Sequence, residues 1–256
     1  MATAALNGIT IDFDDGGRGE PVLLSHGYGA TGRMWEAQRP AVEPRYRLVT
    51  WDMRGHGQTV TPDDPTQYSA DLTVADMRTL LGHLGIARAV IGGLSLGGYM
   101  SLAFHARHPE LVRALVICDS GPGYRNAEAR AGWNARAHER AADFEARGLE
   151  ALAGRSREAS EAAKRHRSAR GLAHAARGML AQESATVIDS LPAIRVPTLI
   201  IVGDRDTAFI APCEYMAKKI PGARLEVIRD AGHASNIDQP AAFDRVLLDF
   251  LDGLPR

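Results

Sequence analysis

The 256-residue chain carries 30 Lys and Arg against 31 Asp and Glu, a formal net charge of −1, and is 45% hydrophobic. That length and apolar content suffice for one sizeable core. The balanced charge leaves no long basic stretch for nucleic acid or an anionic membrane surface. No apolar run approaches membrane-spanning length. The amino-terminal residues lack the charged and apolar regions of a secretion signal. Two cysteines, Cys118 and Cys213, make no disulfide framework, and the histidines and cysteines do not cluster as metal ligands. The expectation is a soluble cytoplasmic protein without metal or other cofactor; self-association into a homo-oligomer stays open.

In chain order, the apolar run Pro21–Leu24 predicts a strand that delivers Ser25-His26-Gly27-Tyr28-Gly29. The loop Arg54-Gly55-His56-Gly57 follows a second strand. Residues 71–81 place apolar side chains at helical spacing, with Gly82 and Gly85 near the end. Ala89-Val90-Ile91 leads into Gly93-Leu94-Ser95-Leu96-Gly97, and residues 99–105 read as a helix. Leu115–Cys118 forms another strand ending at Asp119. From 123 to 190 the chain is rich in Ala, Arg and Glu and reads as amphipathic helices over 126–147, 148–153, 156–167 and 171–184. Alternation then returns: the strand Pro197–Val202 ends in Gly203-Asp204-Arg205-Asp206, and the strand Arg224–Ile228 precedes Ala231-Gly232-His233.

The chemistry-bearing pattern is G-x-S-x-G between a strand and a helix. A sharp turn there exposes the Ser95 hydroxyl, and the glycines avoid clashes with the neighbouring strand and helix. A serine needs a base, and the base needs a carboxylate to orient it. His233 is the candidate base. Asp206 is the favoured acid; Asp204 and Asp119 also end strands and compete for the role. Backbone N–H groups of Leu96 and Tyr28 are the candidate oxyanion donors. His83, His105 and His108 fall on helices as surface or packing residues. His138, His166 and His174 sit in the polar helical region, in solvated or pocket-lining roles, and His56 reads as structural.

Ser25-His26-Gly27, the Arg54–Gly57 loop, the Ser95 elbow, Gly203–Asp206 and Gly232-His233 come in the order of the α/β-hydrolase superfamily, which the chain resembles over nearly its whole length. Within it, the Arg-Gly-His-Gly loop and the Gly-Leu-Ser-Leu-Gly-Gly elbow resemble bacterial carboxylesterases, enol-lactonases and cofactor-free haloperoxidases. The resemblance implies an α/β fold: a mostly parallel central sheet flanked by helices, with a helical cap inserted after the sixth strand. Residues 1–122 and 191–256 would form the core and 123–190 the cap. From their own apolar side chains, Trp133, Met179 and Leu180 in the cap, and Tyr124 and Trp35 on adjoining loops, are candidate substrate contacts. The resemblance further implies a serine hydrolase of small carboxylic esters or lactones. Carbon–carbon cleavage of diketones, perhydrolysis and a small-molecule receptor role remain open on the same frame. The alanine-rich cap predicts short substrates.

Overall fold

The computed structural model describes residues 2–255. Eight strands form one sheet: β1 (Ala2–Leu6), β2 (Ile9–Gly17), β3 (Glu20–Ser25), β4 (Tyr46–Trp51), β5 (Ala89–Leu94), β6 (Val112–Cys118), β7 (Thr198–Gly203) and β8 (Arg224–Ile228). Their spatial order is β1-β2-β4-β3-β5-β6-β7-β8. The pairs β1–β2 and β2–β4 are antiparallel, and every pairing from β4 onward through β3 to β8 is parallel.

Strands β5, β6 and β7 are covered on both faces, as their near-continuous apolar sequences require. Alternation sorts their side chains to two cores. Ile91, Leu115, Ile117 and Ile200 pack with the helices Ala70–His83 and Leu96–Arg107. Val90, Leu94, Val116 and Ile201 pack on the other side. There the helix Pro240–Asp252 buries Phe243, Val246, Leu247, Phe250 and Leu251, a stripe at helical spacing.

The parallel register aligns the strand ends that matter. Ser25 pairs with Gly93, Leu94 with Cys118, Cys118 with Ile201, and Gly203 with Ile228. The residues that follow these ends therefore emerge together at one sheet edge, where open α/β sheets place their sites.

Residues 123–190 lie between β6 and β7. The helix expected over 126–147 spans Ala127–Arg147; Asn126 caps it by accepting from Ala129 N at 2.9 Å, and Gly148 ends it at φ 62°. The helix expected over 171–184 instead spans Ala169–Ala175, then widens into a π turn at Ala176–Leu180. Gly178 sits where a Cβ would come within 1.9 Å of Tyr68 O, so the segment seats on that backbone. Phe144, Leu152 and Leu172 of this segment join the core that carries Ile91 and Leu115. No helix among the described residues is long and apolar enough to cross a membrane.

Candidate active site

Ser95 has φ 55° and ψ −114°, a conformation costly for a side-chain-bearing residue at about 1–3 kcal/mol. The surroundings impose it. Ser95 N donates to Cys118 O at 2.9 Å, and Ser95 O accepts from Tyr99 N at 3.0 Å and from Ser120 Oγ at 2.6 Å. A Cβ on Gly93 would stand 2.6 Å from Ser25 O, one on Gly97 2.3 Å from it, and one on Gly98 2.7 Å from Ser120 Cβ. The turn is glycine-rich because strand β3 and the Ser120 loop press on it. Leu96 opens the following helix, so its N–H has no intrahelical acceptor.

His233 Nδ1 and Asp206 Oδ2 are 2.7 Å apart, and Phe209 stacks on the imidazole with centroids 4.9 Å apart. Burial opposes a charge on His233, but the hydrogen bond and charge of Asp206 outweigh it and raise its pKa above the ordinary histidine value. The turn after β7 separates the two competing carboxylates: Asp206 is 7% exposed, whereas Asp204 faces solvent. Gly203 makes room for the histidine loop, since a Cβ there would meet Ala231 O at 2.3 Å; Arg205 N donates to the same oxygen at 2.9 Å.

Asp119 is a brace. It is buried, accepts from Gly203 N at 2.8 Å and Ser235 Oγ at 2.5 Å, and so joins the ends of β6 and β7 to the segment after His233. Burial pushes its carboxyl up to about 7, against the pull of those donors.

The His26–Gly29 loop lies against the elbow: a Cβ on Gly27 would stand 3.6 Å from Ser95 Cβ. Its backbone is pinned from both sides. His26 bridges Gly27 O at 2.8 Å and Met53 N at 2.9 Å, which fixes an Nδ1–H tautomer. His166 accepts from Gly57 N at 2.9 Å and donates to Gly29 O at 2.8 Å. Burial pulls both imidazoles down to about 4. His56 sits between them, with centroids 4.9 Å from His26 and 6.0 Å from His166. His56 is buried and outside the cavity lining, and His166 is a buried clamp, neither solvated nor pocket-lining. In the Arg54–Gly57 loop the Arg54 guanidinium forms a fully buried two-pronged pair with Asp76, both contacts at 2.7 Å.

Ser95, Leu96, Tyr28, Asp206 and His233 all border one cavity of about 520 Å³. Of the expected substrate contacts, Tyr124 and Trp133 line it, their ring centroids 6.0 Å apart, and so does Leu180. Two do not. Trp35 is fully buried on the opposite face of the sheet against Phe243, centroids 6.0 Å apart. Met179 is buried in the core; the π turn presents its neighbour Leu180 to the cavity. Tyr99, Phe209, Arg136, Arg140, Arg155 and Glu158 also form walls. Arg136 and Arg140 lie three and seven residues after Trp133, so helical spacing from that one aromatic would have found them. Among the described residues no cluster of three or more His, Cys, Asp or Glu could hold a metal ion.

A strained serine after β5, an acid after β7 and a histidine after β8, around one cavity, define a class of protein. The family model for the alpha/beta hydrolase fold matches residues 20–240, and the chain belongs to that family. It is 29% identical over 252 residues to a putative 2-succinyl-6-hydroxy-2,4-cyclohexadiene-1-carboxylate synthase of Bacillus subtilis, covering 92% of this chain and 91% of that one. It is 30% identical over 250 residues to 3-oxoadipate enol-lactonase 1 of Acinetobacter baylyi, covering 91% and 89%. Among solved structures, a thermophilic esterase from Thermogutta terrifontis, with malate bound, aligns with a TM-score of 0.83 at 28% identity over 96% of this chain and 94% of that one.

Proposed function

We propose that this chain is a serine hydrolase that cleaves small carboxylic esters or lactones through an acyl-enzyme. The observation that carries the reading is the 2.7 Å contact of His233 with the buried Asp206, in the wall of the cavity that also holds the strained Ser95. With Nδ1–H committed to Asp206, the imidazole lone pair is at Nε2 and can take the Ser95 hydroxyl proton. Ser95 Oγ then attacks the carbonyl carbon. The oxyanion is held by the N–H groups of Leu96 and Tyr28, the first free by its place at a helix start and the second carried on the pinned loop. The tetrahedral intermediate collapses with loss of the alcohol, which takes the proton from His233. With a lactone the freed hydroxyl stays tethered to the acyl group; in either case water then attacks the acyl-enzyme, gives up its proton to His233, and releases the acid as Ser95 Oγ takes that proton back. The raised pKa of His233 suits the imidazolium that forms at each step.

Residues 123–190 act in this reading as a cap over the core of residues 1–122 and 191–256. The names of the enol-lactonase and esterase relatives support the same bond class. The test is labelling by a fluorophosphonate followed by peptide mapping, together with hydrolysis of 4-nitrophenyl acetate. Stoichiometric modification of Ser95 with loss of turnover is expected; labelling elsewhere overturns the assignment.

A further inference from the structure

The cap side of the cavity carries an excess of positive charge. Arg136, Arg140 and Arg155 all line it, against one cap carboxylate, Glu158. Arg155 is engaged, donating to Ala151 O at 2.5 Å and Asp143 Oδ2 at 2.8 Å. Glu158 is buried; its Oε1 accepts from Ser156 Oγ and its Oε2 has no hydrogen-bond partner among the described residues, so it offsets one of the three positive charges. Among the described residues Arg136 and Arg140 have no acidic partner and no hydrogen-bond acceptor in the protein; the Arg136 guanidinium only lies 5.7 Å over the Trp133 ring. Arg136 and Arg140 are both exposed at the cavity wall; partial desolvation of the guanidinium, then the like charges of Arg155 and Arg136, lower the pKa of Arg140 against the opposing pull of Tyr28 and Glu158. A group of guanidiniums that repel one another around a cavity gains most from an anion placed among them. The planar donor forks match a carboxylate. Tyr124, Trp133 and Leu180 supply apolar or aromatic wall that suits the carbon chain between that carboxylate and the reacting carbonyl.

We propose that Arg136 and Arg140, backed by Arg155, form a carboxylate subsite, so that the preferred substrates are esters or lactones whose acyl part bears a second, free carboxylate. This inference rests on the serine-hydrolase reading for its substrate class, but the subsite itself does not require turnover.

The experiment compares kcat/KM for monomethyl glutarate with methyl pentanoate, and for monomethyl adipate with methyl hexanoate. Each pair differs only in a terminal carboxylate against a methyl group. The anionic ester of at least one pair should be favoured by about ten-fold or more, through KM, as a charge-assisted contact requires. That ratio should fall about ten-fold in Arg140→Gln and Arg136→Gln, and be partly kept in Arg140→Lys, which retains charge. Should a variant fold poorly, the unmodified protein gives the same answer. Its preference should shrink as salt approaches about 1 M, where screening falls to about 3 Å. Calorimetric titration of glutarate and adipate into Ser95→Ala separates the two readings. Turnover without charge preference overturns the subsite and leaves the hydrolase standing. Dicarboxylate binding that Arg140→Gln abolishes, with no ester cleaved, keeps the subsite and overturns the hydrolase. Equal ratios in the unmodified protein and both glutamine variants overturn the subsite.

Discussion

His233 reaches Asp206, and not Asp119, although both carboxylates follow neighbouring strands and both are buried. Asp119 already spends its oxygens on Gly203 N and Ser235 Oγ. The three aspartates should therefore separate cleanly by mutation. Asp206→Asn should cost about ten-thousand-fold in kcat, the loss seen when an imidazole is left in the wrong tautomer. Asp204→Asn, on the exposed side of the turn, should stay within about two-fold, in line with a surface change. Asp119→Asn should lower Tm more than it lowers kcat. Steady-state kinetics and thermal melts on the three variants check the ordering, and a larger kcat loss in Asp204→Asn would refute it.

Substitution of Ser95 should uncouple activity from stability. Ser95→Ala should lose about a million-fold in turnover, as removal of such a nucleophile does, while melting close to the unmodified protein. Ser95→Gly should be equally inactive yet more stable by about 1 kcal/mol, because glycine adopts φ 55° without strain. Denaturant unfolding of the three proteins reads this directly, and a Ser95→Gly protein less stable than Ser95→Ala would count against a strained elbow.

Gly97→Ala is expected to be severe. Its Cβ would stand 2.3 Å from Ser25 O and 2.6 Å from Ser25 C, backbone atoms of a central strand that cannot move aside. Overpacking of this kind costs about 1–3 kcal/mol or more. Soluble yield and Tm should both fall; a protein with unchanged Tm and activity would show that the elbow is looser than its contacts imply.

His166 should mark the acid limit of stability. Its pKa lies near 4 in the folded protein, below the unfolded value of 6.5. The unfolded chain thus binds the proton more readily, and this group's contribution is intact above about pH 6.5 and is lost as pH falls toward 4. The shift corresponds to about 3 kcal/mol at most for a single group. His166→Gln keeps a donor and an acceptor without titrating, so its stability should fall less steeply over that window. Parallel pH–stability curves for the two proteins would dismiss the buried, neutral imidazole.

Acyl-chain selectivity should follow from the size of the cavity and the bulk of its walls. With Tyr99, Tyr124, Trp133 and Phe209 around a cavity of about 520 Å³, 4-nitrophenyl esters from acetate to hexanoate should show the highest kcat/KM. Each added methylene offers only about 0.8 kcal/mol of transfer free energy, which exclusion by the walls overrides once the space is filled. A maximum at decanoate or beyond would reveal a channel through the cap.

Much of this site can be read from the chain because each piece is local. A strand, a turn and one reactive residue recur within five or six positions, and the parallel register brings the strand ends together. What escaped reading depends on partners distant in sequence or on a shift of helical pitch. Trp35 is aromatic enough for a pocket, yet its side of the sheet is decided by Phe243, more than two hundred residues later. Of the two neighbouring candidates Met179 and Leu180 only Leu180 reaches the cavity, because the π turn that holds both buries Met179 in the core. The role of His166 needs Gly57 and Gly29, which are 109 and 137 residues away.

The loop carrying Tyr28 has two moorings in the 123–190 segment: Tyr28 Oη donates to Leu172 O at 2.7 Å, and His166 Nε2 donates to Gly29 O at 2.8 Å. The 123–190 segment and the His26–Gly29 loop are consequently tied together as one mechanical unit. A wholesale swing of residues 123–190 would tear both moorings and displace the Tyr28 amide with them, so under the proposed mechanism this segment and the oxyanion donor keep one fixed relation from the free protein through the reaction.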